Sequence, residues 1–267
     1  VIALTGTEMR AKLGERSLTW GACHPVSKGD VLTIAPLQSG GYGYVTPSCP
    51  IQTPLIYNSQ AAHLTAGIGN MVQVGDCFPL GGPLCDDARN MRLAVSPDRY
   101  TGGRLRYLAG PQTSLFGAET LERFHNTDFT VSRTANRQGV KLDFVGDPFV
   151  CDLSDGIASD FIVAGDIQMT GAGQPYVLLA ECQTIGGYPR IGTVIPSDLA
   201  KCAQAPTGST IRFEPITLKS ADAVLMSEQI QISALRKQVT PMIRDPHQIS
   251  DLLSYQLISG VTAGDDL

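Results

Sequence analysis

A mainly β fold in two domains is what this sequence predicts, and three observations carry it. Short apolar runs recur along the whole chain, separated by turn residues that include 28 glycines and 17 prolines. Hydrophobic residues make up 43% and charged residues 17%, a balance that supplies a core to a globular enzyme or binding protein. The length, 267 residues, exceeds one average domain and falls short of three, so two of ordinary size are read.

The elements follow in order. Residues 1–80 give the extended segments "VIALTG", "RAKLG", "LTWGACHPV", "DVLTIAP" and "GYGYVTP", with turns of Gly, Pro and Asp between them, as in a barrel or sandwich. "VSKGDVLTI" reads as an apolar strand entered through a Gly-Asp turn, and "VQVGDCFPL" at 72–80 repeats that pattern. The chain opens on an apolar run without Met, so the first domain, residues 1–100, is expected to be N-terminally incomplete. Residues 81–103, "GGPLCDDARNMRLAVSPDRYTGG", start and end in glycine pairs and read as the linker. The second domain, 101–267, opens with "LRYLAGPQTSLFGAETLERF", a strand, a Gly-Pro turn and a helix at 117–125. That opening weakly echoes "IALTGTEMRAKLG" and hints at a tandem duplication. Strands "FTVSRTANRQGVKLDF", "GDIQMTG", "QPYVLLAE", "RIGTVIP" and "STIRFEPIT" follow. Val224, Leu225, Ile232 and Leu235 recur at near-helical spacing in "SADAVLMSEQIQISALRKQV", read as one C-terminal surface helix before a loose "VTAGDDL".

Composition excludes several functions. A net charge of -5 with scattered basic residues and one Trp provides neither the cationic face nor the stacking aromatics of a nucleic-acid binder. Seven cysteines form no CxxC pair, and four histidines lack ligand spacing, so no metal is implied and the thiols read as free in a reducing cytoplasm. No apolar run approaches the roughly 20 residues of a membrane helix, and no signal segment opens the chain.

Chemistry concentrates in "AECQTIGGYPRIGTVIPSDLAKCAQ", residues 180–204. Gly186-Gly187 lacks side chains that would block a ligand, so its amides are able to face a developing negative charge; a plain hairpin would use the same pair. Gln183, Thr184, Tyr188 and Arg190 add an amide, a hydroxyl, a phenol and a guanidinium, more polar capacity than a hairpin requires.

The run "LLAECQTIGGYPRIGTVIPSDLAKCAQ" resembles the signature of the family containing KipA, the C subunit of 5-oxoprolinase and the second carboxyltransferase segment of urea carboxylase (allophanate hydrolase subunit 2), which typically reads LLADRQTTGGYPKIATVISADLPRLAQ. "LRYLAGPQTSLF", "FTVSRTANRQGVKLD" and "SDGIASDFIVAGDIQMTGAGQP" also resemble family segments in the same order, and the likeness runs from residue 1 to about 220. It departs at "SCPIQTP" (48–54) and "YNSQAA" (57–62), at Glu181-Cys182 where Asp-Arg is usual, and in lacking the QDLGR segment. The resemblance implies two tandem cyclophilin-like β-barrels with a few short helices. It implies a subunit of an ATP-dependent 5-oxoprolinase-type amide (lactam) hydrolase, paired with a KipI-like (allophanate hydrolase subunit 1-like) protein and in some systems a LamB/YcsF-like one, with ATP held here or elsewhere in the complex. Two alternatives stand beside it: a biotin-dependent carboxyltransferase component acting on urea or a related amide, and a KipA-like regulator that antagonises a kinase inhibitor. The site residues it suggests are Gln183, Gly186, Gly187, Tyr188 and Arg190 for catalysis and Asn136, Arg137, Gln168 and Thr184 for a small amide substrate. Cys182 has no His beside it in sequence and is set aside as a nucleophile.

Overall fold

The computed structural model describes residues 1–37, 40–82, 90–151 and 157–242. Its strands are β1 (Ile2–Gly6), β2 (Ala11–Leu13), β3 (Arg16–Leu18), β4 (Ala22–His24), β5 (Leu32–Ile34), β6 (Gly43–Pro47), β7 (Met91–Leu93), β8 (Gly103–Leu108), β9 (Phe129–Val131), β10 (Gly139–Asp143), β11 (Asp160–Phe161), β12 (Asp166–Met169), β13 (Pro175–Leu178), β14 (Ile185–Gly186), β15 (Arg190–Val194), β16 (Thr210–Pro215) and β17 (Val239–Pro241). The α-helices are α1 (Ala118–Asn126), α2 (Pro196–Gln204), α3 (Leu218–Val224) and α4 (Glu228–Arg236). The fold is mainly β, with a closed barrel in the order β10-β13-β12-β15-β8-β16-β9.

Period-two burial explains the barrel. Leu105 and Tyr107, Phe129 and Val131, Val140 and Leu142, Ile167 and Met169, and Ile211 and Phe213 all belong to one buried cluster, each pair two residues apart on its strand. α1 lays Phe124, 0% exposed, into this interior, where it stacks on Phe213 at 4.8 Å between ring centroids. Burying a side chain of that size contributes roughly 1.5–3 kcal/mol. Gly192 permits β15 to lie on β8: a Cβ there would stand 2.4 Å from the Leu108 carbonyl oxygen and from the Tyr107 ring. α2 begins with a proline at its first turn and is tied to β8 by Asp198, which accepts from the Arg106 Nε at 2.8 Å, Nη2 at 2.7 Å and backbone N–H at 2.9 Å. Burial works to raise the Asp198 pKa, but those bonds prevail and hold it below the usual carboxylate value.

The first half forms two open sheets, β17-β7-β4-β1-β6 and β3-β2-β5. Leu4, Ala11, Leu13 and Ala22 are its buried apolar residues. Barrel closure is thus confined to the second half among the described residues. The expected strand at 72–80 is corrected: Val72, Val74 and Phe78 are exposed, and only Leu80 makes a bridge, to Ile51. Alternation alone does not make a strand without a partner to satisfy its backbone. Within 81–103, β7 joins the first sheet, and β17 returns from beyond the barrel to pair with it. The single helix expected over 220–239 is two, because Leu225 is extended and the Ser227 side chain caps a new start by accepting from the Ile230 N–H. Cys85, His247 and "VTAGDDL" lie outside the described residues.

Candidate functional site

The site is built on the outer wall of the barrel. Ile167 and Met169 of β12 point inward, so Asp166 and Gln168, one residue out of phase, face out. A β-bulge between Ile167 and Gln168 places Arg190 opposite Gln168, with Gly192 opposite Ile167. Such irregularities re-aim side chains beside functional sites. β11 and β14 pair as a two-stranded ribbon, and it covers this outward layer.

Arg190 fastens the ribbon. Its Nη1 donates to Asp166 Oδ2 at 3.2 Å and to the Phe161 carbonyl, its Nη2 to Asp160, and its backbone N–H to Gln112 Oε1 at 3.0 Å. Asp166, 1% exposed, also accepts from Thr193 Oγ1 at 2.6 Å and from the Val163 N–H at 3.0 Å. Beside this network the Gln168 carboxamide, in a residue only 8% exposed, has no hydrogen-bond partner among the described residues. Its oxygen and nitrogen each keep some contact with solvent, since no wholly buried side-chain nitrogen or oxygen among the described residues goes without a partner. Gly186 makes room for it: a Cβ there would stand 2.8 Å from Gln168 Nε2 and 3.1 Å from Ile162 Cδ1. Gly187 is different. It is exposed, its nearest neighbour to a built Cβ is Ser159 Oγ at 3.6 Å, and neither glycine adopts positive φ. Gln183, Thr184 and Tyr188 lie on the same loop, and the Thr184 carbonyl accepts from the Ile162 N–H at 3.1 Å. Burial, and then the charge of Asp166, push the Cys182 thiol up, away from a thiolate nucleophile.

Asn136 and Arg137 stand at the other end of the loop. Asn136 Oδ1 accepts from the Gln138 N–H at 2.8 Å and bends its own turn. Arg137 pairs with Glu181 at 2.7 Å and donates to the Ala62 carbonyl at 3.0 Å, joining the two halves of the chain. Both line a cavity of about 360 Å³ with Gly40, Gly41 and Tyr42. Gln204 closes that seam: its Oε1 accepts from Thr7 Oγ1 at 2.9 Å, the Gly41 N–H at 3.2 Å and the Tyr42 N–H at 2.8 Å, and its Nε2 donates to the Tyr42 carbonyl at 3.1 Å. The Tyr42 hydroxyl pKa is raised by burial first, then by Tyr44 and Glu181, against the lowering effect of Arg137.

The structure therefore gathers Gln168, Gly186 and Arg190 in one layer, leaves Gln183, Thr184, Gly187 and Tyr188 on the loop above it, and puts Asn136 and Arg137 at a second location. Asp160, Asp166, Gln112 and Gln204 were not foreseen. Gln112 lies within "GPQTSLF", a segment already singled out, whereas nothing local in the sequence marks the carboxylates. Among the described residues no cluster of His, Cys, Asp or Glu suits a metal ion, and no helix is long and apolar enough to cross a membrane.

Comparison with known proteins matches a family model, the carboxyltransferase domain, subdomains A and B, to residues 1–215. The chain is 30% identical over 223 residues to the C subunit of 5-oxoprolinase from Escherichia coli (strain K12), covering 82% of this chain and 70% of that protein. It is 28% identical over 219 residues to the corresponding C subunit from Haemophilus influenzae, covering 81% of this chain and 69% of that protein. The crystal structure of the K. lactis urea amidolyase superposes with a TM-score of 0.71 at 19% identity, over 92% of this chain and 17% of that one, a likeness of fold. The chain belongs to the carboxyltransferase-domain family and is homologous to the C subunit of 5-oxoprolinase.

Proposed function

We propose that this chain is a subunit of an ATP-dependent 5-oxoprolinase-type amide hydrolase, working with a KipI-like subunit and, in the full assembly, a LamB/YcsF-like one. The observation that carries the reading is the enclosed Gln168 carboxamide without a partner. The carboxamide has no protein partner among the described residues and keeps only the little solvent contact of a residue 8% exposed, and a ligand with its own C=O and N–H, such as a lactam, supplies a partner to each of its polar atoms. Homology to the C subunit of 5-oxoprolinase supports the choice of lactam.

In this reading water adds to the lactam carbonyl carbon, the ring C–N bond breaks, and the nitrogen leaves with a proton as the amine of glutamate. Gln168 binds the amide edge. In this reading the Gly187 N–H and the Tyr188 phenol donate toward the oxygen on which charge gathers once the loop closes on the ligand, and Gln183 and Thr184 orient the ring's carboxylate; the open space at Gly187 supports the first of these roles. Arg190 and Arg137 are ion-paired to Asp160, Asp166 and Glu181, so they position the loop and do not fit a role as triphosphate ligands. ATP is accordingly assigned to a partner, and no step on this chain is routed through it.

The test is glutamate release from 5-oxoproline and ATP by the purified chain with and without its KipI-like partner. Release is expected only from the assembled complex; full activity of the isolated chain would overturn the two-subunit reading. The family match to a carboxyltransferase domain favours one second reading, carboxyl transfer from biotin to a urea-like amide. Avidin-sensitive bicarbonate fixation onto urea, in place of glutamate release, would establish it.

A further inference from the structure

We propose that the β11–β14 ribbon is a lid over a ligand subsite at Gln168, and that the Asp160–Arg190 pair is its latch. The inference rests on the reading above for the class of ligand, a small lactam bearing a carboxylate, but the lid is argued from the ribbon itself. Gln168 faces out of the barrel, is 8% exposed, and has Gly186 of the ribbon against it, where a Cβ would stand 2.8 Å from its Nε2, with the buried Ile162 flanking that glycine. Its carboxamide has no partner among the described residues in this closed arrangement, and the residue keeps only 8% of its surface in contact with solvent. A ligand larger than water therefore reaches it by lifting the ribbon.

What holds the ribbon down is unequal on its two sides. The Asp166 end is permanent: the side chains of Asp166 and Arg190 are 2% and 16% exposed, and Asp166 is fixed by Thr193 and the Val163 N–H as well. The Asp160 end is half-exposed at 50% and joins the first residue of β11 to the same guanidinium. Between the two strands the ribbon has one two-residue register, Asp160 with Gly186 and Phe161 with Ile185, supplemented by the Ile162 N–H to Thr184 carbonyl bond. A ladder that short is weak alone, so the Arg190 guanidinium, which holds β11 through the Phe161 carbonyl and the Asp160 carboxylate, sets how often it opens, and the exposed Asp160 pair is the part a substitution can release. The outer side chains Phe161, Ile185 and Tyr188 are exposed at 76%, 54% and 52%, so lifting the ribbon disrupts little packing on that side.

Two variants of the full chain test the two parts separately. For the latch, Asp160→Asn is expected to raise backbone hydrogen exchange at Ile162 by about fivefold, with β12 and β13 unchanged, and Asp160→Glu to restore protection. Unchanged exchange at Ile162 in Asp160→Asn would overturn the latch whatever the substrate is. For the subsite, Gln168→Leu removes an amide that has no partner, so the melting temperature is expected to hold or rise. In the assembled complex the same variant is expected to raise KM for 5-oxoproline by about tenfold or more, and Asp160→Asn to raise KM with kcat within about twofold. A Gln168→Leu chain that melts lower, or whose complex keeps the wild-type KM, would overturn the subsite. A wild-type complex inert toward 5-oxoproline would sink the functional reading alone, leaving exchange at Ile162 and the Gln168→Leu melting temperature to judge the lid and the enclosed amide.

Discussion

The barrel of residues 103–215 closes on itself and exposes no strand edge, whereas the sheet centred on β4 ends in two open edges, β6 and β17. The first encloses nineteen residues in one buried cluster, six of them Phe or Tyr. The second half-exposes Tyr44 and Val45 on its own edge strand. Unpaired edges are where sheets find partners, and contacts from the barrel prop the first half. The props are specific: Gln204 on α2 holding residues 41 and 42, and Arg137 holding Ala62. The candidate lid and its carboxamide are fixed to the rigid half, as a precise site requires.

The sharpest way to break this comparison is to open each core in turn. Phe124→Ala should cost about 3–5 kcal/mol, and because α2 and its Gln204 belong to the barrel, thermal unfolding followed by hydrogen exchange should show both halves lost together. Leu4→Ala, in a residue equally buried, should cost about 2–5 kcal/mol yet leave β12 and β13 protected. If β12 lost protection with β1, the halves would be one cooperative unit. Gln204→Ala, which deletes the four bonds to Thr7, Gly41 and Tyr42, should cost about 1–3 kcal/mol, read as faster exchange in β1 and β6 and no change in β9.

A smaller, pH-dependent difference should follow from the Tyr107 hydroxyl and His125 Nε2, 2.7 Å apart in the barrel. Burial pushes Tyr107 up to about 12 and lowers the His125 pKa. A histidine with a depressed folded pKa binds fewer protons than its unfolded counterpart, so its contribution is complete above about pH 6.5 and is lost as pH falls toward the folded value. The barrel's melting temperature should decline through that window, and His125→Gln should flatten the decline. The smallest effect is expected at Gly187→Ala, within about 0.5 kcal/mol by denaturant titration, since a methyl there meets only Ser159 Oγ at 3.6 Å. Gly186→Ala should cost more, because its methyl displaces Gln168 Nε2.

Much of the barrel was legible because short apolar strands recur between turns that carry glycine, with buried residues two apart as in "VKL" of "GVKLD" and "IRF" of "TIRFEP". Residues 72–80 show the same apolar alternation and yet form no strand, since pairing is decided by what lies alongside and not by the run itself. The loop at 180–190 was legible as polar and glycine-rich and gave Arg190, while Gln168 was singled out in the separate segment "GDIQM". What the loop's residues touch was not legible. Arg190 meets Asp160 and Asp166, 30 and 24 positions upstream, and no local pattern announces those meetings. Likewise, the two adjacent glycines look equivalent in "TIGGYP", but only Gly186 packs against another side chain at close range.

The barrel's closure also sets the order of events during synthesis. β8 pairs in parallel with β16, Gly103 with Ile211 through Tyr107 with Pro215, so the last barrel strand to leave the ribosome docks beside the first. Until then β8 has only β15 for a neighbour and β9 only β10. Pairings this distant in sequence are slow to form, and the nascent chain must carry the unpaired sides of β8 and β9 for the whole interval. Truncation before residue 210 would leave a sheet with two unpaired edges and an uncovered apolar face, a species disposed to aggregate.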